Sequence, residues 1–371
     1  MLTDQQPAAL ELTDHPVSHD DRLKSYHRIV ILTESHTNAQ YAKTAIGLLK
    51  YRTYDIVAVL DTQHAGKNIQ TALGHGGEIP VIGSLDEVVE PDALFIGISF
   101  AGGRLPTAMR SAIHSAVARG IDVVSGLHDF IGTDTDLNEL ASQTGAQLID
   151  IRANHHRDVA QHAEFRRECL RIHTVGQDCS VGKMVTSIEI DRELKRRNLD
   201  SKFLATGQTG IMIAGEGVPI DCVVSDFVNG AAEQLVHQNE QHDFLLIEGQ
   251  GCIVHPSFSG VTTGLLHGSA PHGLILCYEA ERPATKNLDH VPLKSLADLK
   301  KLYETMASAR FPCEVIGVGL NGRRLNKEQI EAEKEKVREE LGLPVCDVFQ
   351  DGAAVLADAV LELRERVLAW K

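Results

Sequence analysis

Short apolar runs alternate with amphipathic segments along most of the chain. Arg28–Thr33 (RIVILT), Asp55–Leu60 (DIVAVL), Ile79–Ile82, Ala93–Ser99, Asp122–Ser125 and Gln147–Ile151 have the length and apolar content of buried strands. Between the first two, Asn38–Arg52 places Ala42, Ala45, Ile46 and Leu49 on one helical face, behind candidate caps at Thr37 and Asn38. The later gaps are also long enough for helices. Strand and helix alternating at this pitch predict a parallel sheet with helices on both faces, so residues 27–152 read as a Rossmann-like α/β domain. Residues 1–26 are polar, carry Pro7 and Pro16, and read as a mobile leader. Residues 153–168, with His155, His156 and His162, read as a linker.

The rhythm restarts at residue 169. Leu170, Ile172 and Val175 mark a strand, and Met184 to about Arg197 places Val185, Ile188 and Leu194 on one helical face. Asp200–Thr206, Asp243–Ile247, Gly273–Tyr278, Cys313–Val318 and a short Pro344–Cys346 are further strands. Asp226–Gln238, Leu293–Ala309, Asn326–Leu341 and a last segment from about Ala353 are helices, while Ile211–Val224 is read as too interrupted by glycine and proline to be one. Residues 169–371 are therefore expected to form a second α/β domain.

Between that first strand and helix lies Gly176-Gln177-Asp178-Cys179-Ser180-Val181-Gly182-Lys183. Strand, glycine-bounded loop, lysine, helix is the context of a phosphate loop: free N–H groups and the helix dipole attract phosphate, and Lys183 adds a point charge. The first glycine lies seven residues before the lysine, one more than in GxxxxGK[ST]. Met184 follows, and a thioether does not bind a hard cation. The second domain is thus P-loop NTPase-like, with residues 176–184 expected to hold a phosphate or pyrophosphate without metal. Glu248 ends the apolar strand DFLLI at the Walker B position, where an acid holds Mg²⁺, a water or an ammonium.

Composition narrows the partners. The net charge of −15 without a basic block argues against a nucleic-acid binder. No run of 18 apolar residues predicts a membrane span, and no basic-then-apolar start reads as a signal peptide. Seven cysteines without a CxxC pair fit a reducing cytoplasm, without structural disulfides or a zinc knuckle. The three linker histidines lack acidic or cysteine partners at metal-ligand spacing, so no metal is assigned. In the first domain, the turn Glu34–Asn38 has no glycine, so Asp61 reads as an ordinary acidic strand end rather than a ribose ligand. The loops Ser99–Arg104 and Ser125–Phe130 lie at the sheet edge where an anionic substrate would bind, with Arg104 available for a carboxylate.

The loop G-x-D-x-x-V-G-K resembles that of dethiobiotin synthetase, where Thr or Ser usually stands at the position of Met184. Taken together, ESHTNAQYAKTA, SFAGGRLP, SGLHDF, GQDCSVGKM, ATGQTG, VSDFVNGAAE, IEGQG and GVTTGLLHG resemble a bacterial two-domain family long catalogued as a domain of unknown function. That family includes the D-glutamate N-acetyltransferases and joins a Rossmann-like domain to a P-loop domain. The resemblance implies transfer of acetyl from acetyl-coenzyme A to the amine of a D-amino acid, D-glutamate foremost, with coenzyme phosphates on Gly176–Met184. Glu248 is then the leading base, His255 the second candidate, and Lys183 completes the catalytic set. Gly207, Gln208, Thr209 and Gly210 are expected to offer donors to the thioester or substrate, and Arg104 and Arg282 to take the substrate carboxylates. Cys179, at the helix start, has no identifiable base beside it and is not expected to form an acetyl-thioester. A homo-oligomer is expected. The competing reading is an ATP- and Mg-dependent ligase or kinase resembling dethiobiotin synthetase.

Overall fold

A computed structural model describes residues 20–100, 102–162 and 164–369. The first domain runs α1 (Asp20–Ser25), β1 (Ile29–Leu32), α2 (Lys43–Tyr51), β2 (Ile56–Leu60), α3 (Ile69–Leu73), β3 (Val81–Ile82), β4 (Ala93–Ile96), α4 (Arg110–Ala118), β5 (Asp122–Ser125), α5 (Thr135–Thr144) and β6 (Leu148–Asp150). Its six parallel strands take the order β3-β2-β1-β4-β5-β6, the doubly wound arrangement. The expected leader ends too late. Helix α1 belongs to the fold, because Leu23 and Tyr26 are buried in the core and the Tyr26 hydroxyl donates to Asp122 at 2.5 Å. The rest of that leader, residues 1–19, lies outside the described residues.

The second domain runs β7 (Leu170–Gly176), α6 (Lys183–Arg196), β8 (Ser201–Leu204), α7 (Gln208–Ala214), α8 (Val228–His237), β9 (Phe244–Ile247), α9 (Ser259–Ser269), β10 (Gly273–Glu279), α10 (Leu296–Ser308), β11 (Glu314–Asn321), α11 (Lys327–Leu341), β12 (Val345–Cys346) and α12 (Ala354–Ala369). Its strands are again six and parallel, in the order β12-β11-β10-β7-β9-β8, which puts the phosphate loop in the middle of the sheet. Contrary to expectation, part of Ile211–Val224 is helical. Helix α7 runs until Gly215, whose left-handed φ of 76° closes it, so that glycine is a stop and not an interruption. In α9, Gly264 and Gly268 are packing positions: a Cβ on Gly268 would stand 2.2 Å from the Asn229 carbonyl oxygen of α8.

The two domains share one apolar core. Leu48, Leu49, Ile69 and Phe95 from the first cluster with Ile188, Phe203, Ile211 and Met212 from the second. Helix α2 lies so close to α7 that a Cβ on Gly47 would stand 2.8 Å from the Thr209 side chain. Polar contacts rim this seam: Tyr51 donates to Glu189 at 2.8 Å, and Arg52 donates to the Met212 carbonyl at 3.1 Å. Among the described residues no helix is long and apolar enough to cross a membrane.

Candidate active site at the domain junction

The phosphate loop is built around a buried carboxylate. Asp178 is fully buried and accepts from the Arg282 guanidinium, the Lys286 N–H and the Cys179 N–H, each at 2.7 Å. Arg282 also donates to the carbonyls of Cys179 (2.9 Å) and Ser180 (3.2 Å) and pairs with Glu279. Ser180, at φ 56°, and Gly182, at φ 110°, bend the chain into α6. Lys183 Nζ donates to the carbonyls of Asp178 and Gly251, both at 2.8 Å. The backbone N–H groups from Ser180 through Val185 have no partner among the described residues. A run of free donors at a helix start is a seat for an anion.

Cations gather at its mouth. Lys286 Nζ donates to Ser180 Oγ at 2.7 Å, and Lys43 Nζ, from the first domain, reaches the same oxygen at 3.4 Å. Neither lysine has an ion-pair partner among the described residues. Burial, then the charges of Lys286, Arg323 and Arg282, push the Lys43 ammonium down to about 7. Met184 turns its side chain away into the seam, packing against the shared core beside Gly47.

Next to the loop, Glu248 follows β9. Its carboxylate is buried, and Oε2 accepts from the N–H groups of Thr206 (3.0 Å) and Gly207 (3.2 Å) at the start of α7. Gly210 is required here, since a Cβ would lie 2.4 Å from that oxygen. Burial raises the carboxyl to about 7 against the pull of the two N–H groups and Lys183. Oε1 has no hydrogen-bond partner among the described residues.

The first domain closes the far side. Gln208 packs so tightly on the 125–130 loop that a Cβ on Gly126 would sit 2.9 Å from it. Its side chain accepts from Arg152 at 2.8 Å, and Arg152 also holds Asp221 at 2.8 Å and the Gly126 carbonyl. Gln208 Nε2 also donates to Ser99 Oγ at 3.4 Å, so the loops carrying Ser99 and Gly126 both meet the start of α7, a meeting of the two domains that the sequence left open.

Family models match both halves: a domain of unknown function described as the DUF1611 C-terminal P-loop domain over residues 158–357, and the DUF1611 N-terminal Rossmann-like domain over residues 62–154. The chain belongs to the DUF1611 family. A crystallised DUF1611 family protein from Anabaena variabilis is 37% identical with a TM-score of 0.85, and the match covers 91% of this chain and 99% of that one. A D-glutamate N-acetyltransferase of Tritonibacter scottomollicae is 35% identical over 86% of this chain and 94% of its own. Another from a Pseudoalteromonas species is 38% identical over 69% of this chain and 77% of its own.

In this DUF1611 protein several expected roles are displaced. Arg282 is not free for a substrate carboxylate, because its guanidinium is spent on Asp178, Glu279 and two loop carbonyls. His255 is a buried brace: Nδ1 accepts the Ser257 N–H at 3.1 Å and Nε2 lies 3.9 Å from Asp178, so it stands against the phosphate loop. Thr209 pairs with Thr44 across the seam at 2.8 Å rather than facing a substrate. The Gly207 N–H and the Gly210 surface serve Glu248, not a thioester oxygen. Gln177 is tied to the Cys277 and Lys294 carbonyls, both at 2.9 Å, so its backbone N–H is not available to the cradle. Arg104 is exposed beside the Gly103–His128 contact. Asp61 is consumed by its own loop, accepting from Thr37, Gln63 and His64. Sequence reasoning missed Lys43, Lys286, Arg152, Asp221 and Cys222. Lys43 lies inside the ESHTNAQYAKTA stretch, where nothing local marks the lysine as a ligand group; the other four fall in none of the motifs, and only Arg152, just after the last strand of its sheet, stood at a legible edge position.

Proposed function

We propose that this protein acetylates the amine of D-glutamate with acetyl-coenzyme A, whose phosphates rest on Ser180–Met184. The observation that carries the reading is the pairing of a cradle that has Met184, not a hydroxyl residue, after its lysine with unneutralised lysines at its mouth. Free N–H groups run from Ser180 through Val185, Lys43 and Lys286 converge on Ser180, and Met184 turns into the seam where a metal-binding hydroxyl would stand. A diphosphate supplies the missing negative charge. The names of the relatives, which span most of this chain, support the acyl transfer and the acceptor.

The acceptor enters as an ammonium and must lose a proton before its nitrogen attacks. Glu248 is suited to take it: the carboxyl is poised near neutrality, and its unbonded Oε1 is the accepting atom. Its two N–H donors hold the ionised form in place. Arg104 lies in one sheet-edge loop and Arg152 holds the Gly126 carbonyl of the other; of the two, Arg104 is left exposed for a substrate carboxylate. We place the protein in the cytoplasm, where its free cysteines stay reduced.

The test is thiol release from acetyl-coenzyme A against a panel of D- and L-amino acids, with mass spectrometry of the product, beside calorimetry with coenzyme A and with ATP plus Mg²⁺. N-acetyl-D-glutamate and metal-independent coenzyme binding are expected. ADP or phosphate release with tight ATP·Mg binding and no response to coenzyme A would install the ligase reading instead.

A further inference from the structure

Outside the Glu248 pocket, a second reactive cluster bridges the domains. Cys222 ends the 3-10 turn Ile220–Cys222, and His128 lies on the loop after β5. Cys222 Sγ is 3.4 Å from His128 Nδ1, and His128 Nε2 is 3.7 Å from Asp221 Oδ2. Arg152 fixes that carboxylate through Nη2 (2.8 Å) and Nε (3.3 Å). The imidazole is held from behind: the His128 N–H donates to the Gly103 carbonyl at 2.9 Å, and Gly103, at φ 58°, passes so close that a Cβ would meet the ring at 2.4 Å. The turn is fixed as well, its Cys222 carbonyl accepting from Asn154 at 3.0 Å. Thiol, imidazole and carboxylate in that order form the constellation of an activated nucleophile.

We infer that Cys222, with His128 as its base and Asp221 as the orienting acid, carries the acetyl group as a thioester between coenzyme A and the acceptor. The inference rests on the acetyl-transfer reading above. Burial and Asp221 push the thiol up to about 11, while burial and Arg152 hold the imidazole below its ordinary value. The resting pair is therefore thiol and neutral imidazole, which calls for proton removal during attack rather than a stored thiolate. His128 has a side chain 43% exposed and Cys222 is half-buried, so both are reachable. A cleft of about 560 Å³, walled by Ile220, Asp221, Val223, Asn229 and Thr263, opens beside the same turn and offers room for a thioester arm.

The chemistry balances. His128 takes the Cys222 proton as sulfur attacks the acetyl carbon; the carbon–sulfur bond to coenzyme A breaks, and the departing thiolate takes that proton from His128. The amine, already relieved of one proton by Glu248, then attacks the acetyl-Cys222 carbon. His128 takes its second proton and returns it to the Cys222 thiolate. The same three side chains also lie within metal-ligand reach of one another. The Arg152 guanidinium on Asp221 places a fixed cation where a metal would need the carboxylate, which favours the acyl carrier.

Two measurements test this. The first is quenched peptide mapping after acetyl-coenzyme A alone, expected to find one hydroxylamine-labile acetyl group on Cys222. The second is exchange of labelled coenzyme A into acetyl-coenzyme A without acceptor, which needs no accumulated intermediate. Cys222→Ala and His128→Gln are expected to abolish exchange and cut turnover by about 10³-fold or more, with coenzyme affinity kept as evidence of folding. Cys222→Ala retaining over about a tenth of wild-type turnover, or wild type lacking exchange, overturns the thioester while direct acetyl transfer stands. Stoichiometric zinc in the purified protein that is lost in Cys222→Ala also overturns it. No thiol release with any acceptor instead removes the underlying reading.

Discussion

Lys43→Ala probes the cradle through a group that belongs to the other domain. In the free protein Lys43 is only half charged near pH 7, because burial and three neighbouring cations oppose its proton. An anion in the cradle reverses that opposition. A unit charge about 4 Å from Nζ is worth roughly 4 kcal/mol at an effective dielectric of ~20. The open mouth and mobile partners reduce this to about 1–2 kcal/mol, or about 5- to 30-fold in Kd. At pH 6 the lysine is already protonated, so Lys43→Ala is expected to weaken coenzyme A binding by that factor. At pH 9, charging it costs about 2.7 kcal/mol, more than the contact returns, so wild type binds with a neutral amine and the gap closes. Calorimetry at pH 6, 7.5 and 9, in two buffers of different ionisation enthalpy, reads both affinity and protons taken up. Near pH 7.5 wild type is expected to absorb a fraction of a proton and Lys43→Ala none. Equal affinities at pH 6, or the same deficit at pH 6 and pH 9, would refute the placement of a phosphate beside Ser180.

Other substitutions separate charge from scaffold. Glu248 binds its proton more tightly folded than unfolded, so its contribution to stability is full below pH 4.5 and lost as the pH climbs through about 7. Glu248→Gln is therefore expected to melt a few degrees above wild type at pH 8, to match it near pH 4.5, and to lose acetyl transfer; equal melting points at both pH values contradict the buried-anion account. Arg282→Ala strands the fully buried Asp178 and is expected to cost about 3–5 kcal/mol in urea unfolding, with Arg282→Lys recovering little because one ammonium cannot replace the fork. Gly249→Ala puts a Cβ 1.7 Å from the Thr174 carbonyl oxygen and is expected to yield no soluble protein; a well-folded variant would show that β7 and the Glu248 loop are less closely apposed. Met184→Thr is expected to cost about 1–3 kcal/mol through lost seam packing and to leave coenzyme affinity indifferent to EDTA. A Mg²⁺-dependent gain in affinity would show that the position faces the ligand.

The two-sheet plan was legible because buried parallel strands write themselves as apolar runs, as in RIVILT and DFLLI, and because Gly176 and Lys183 bracket a loop with a single sensible geometry. Glu248 was legible for the same reason, standing where an apolar run stops. Helix α7 was not. Local propensity counted Gly215 against it, whereas the fold uses that glycine to end the helix, while Gly210 inside the helix admits a carboxylate. Arg282 was misread because a guanidinium near a loop looks the same in sequence whether it meets a ligand or Asp178. Lys43 and Cys222 were invisible for a different reason: each acquires its neighbours from the opposite domain, 137 residues away for Lys43–Ser180 and 94 for Cys222–His128. Spacing within one segment carries no trace of such meetings.

The oily seam beneath α2 and α7 has a further consequence. Each half has a core of its own, but Ile188, Phe203 and Met212 would lie bare without their counterparts across the seam. A wide clamshell motion would expose that grease to water, so small molecules must thread past the rim loops rather than wait for the halves to part. Severing the gene near the linker is accordingly expected to give two sticky fragments that regain function only when made together, and heating the intact chain to give one melting step instead of two.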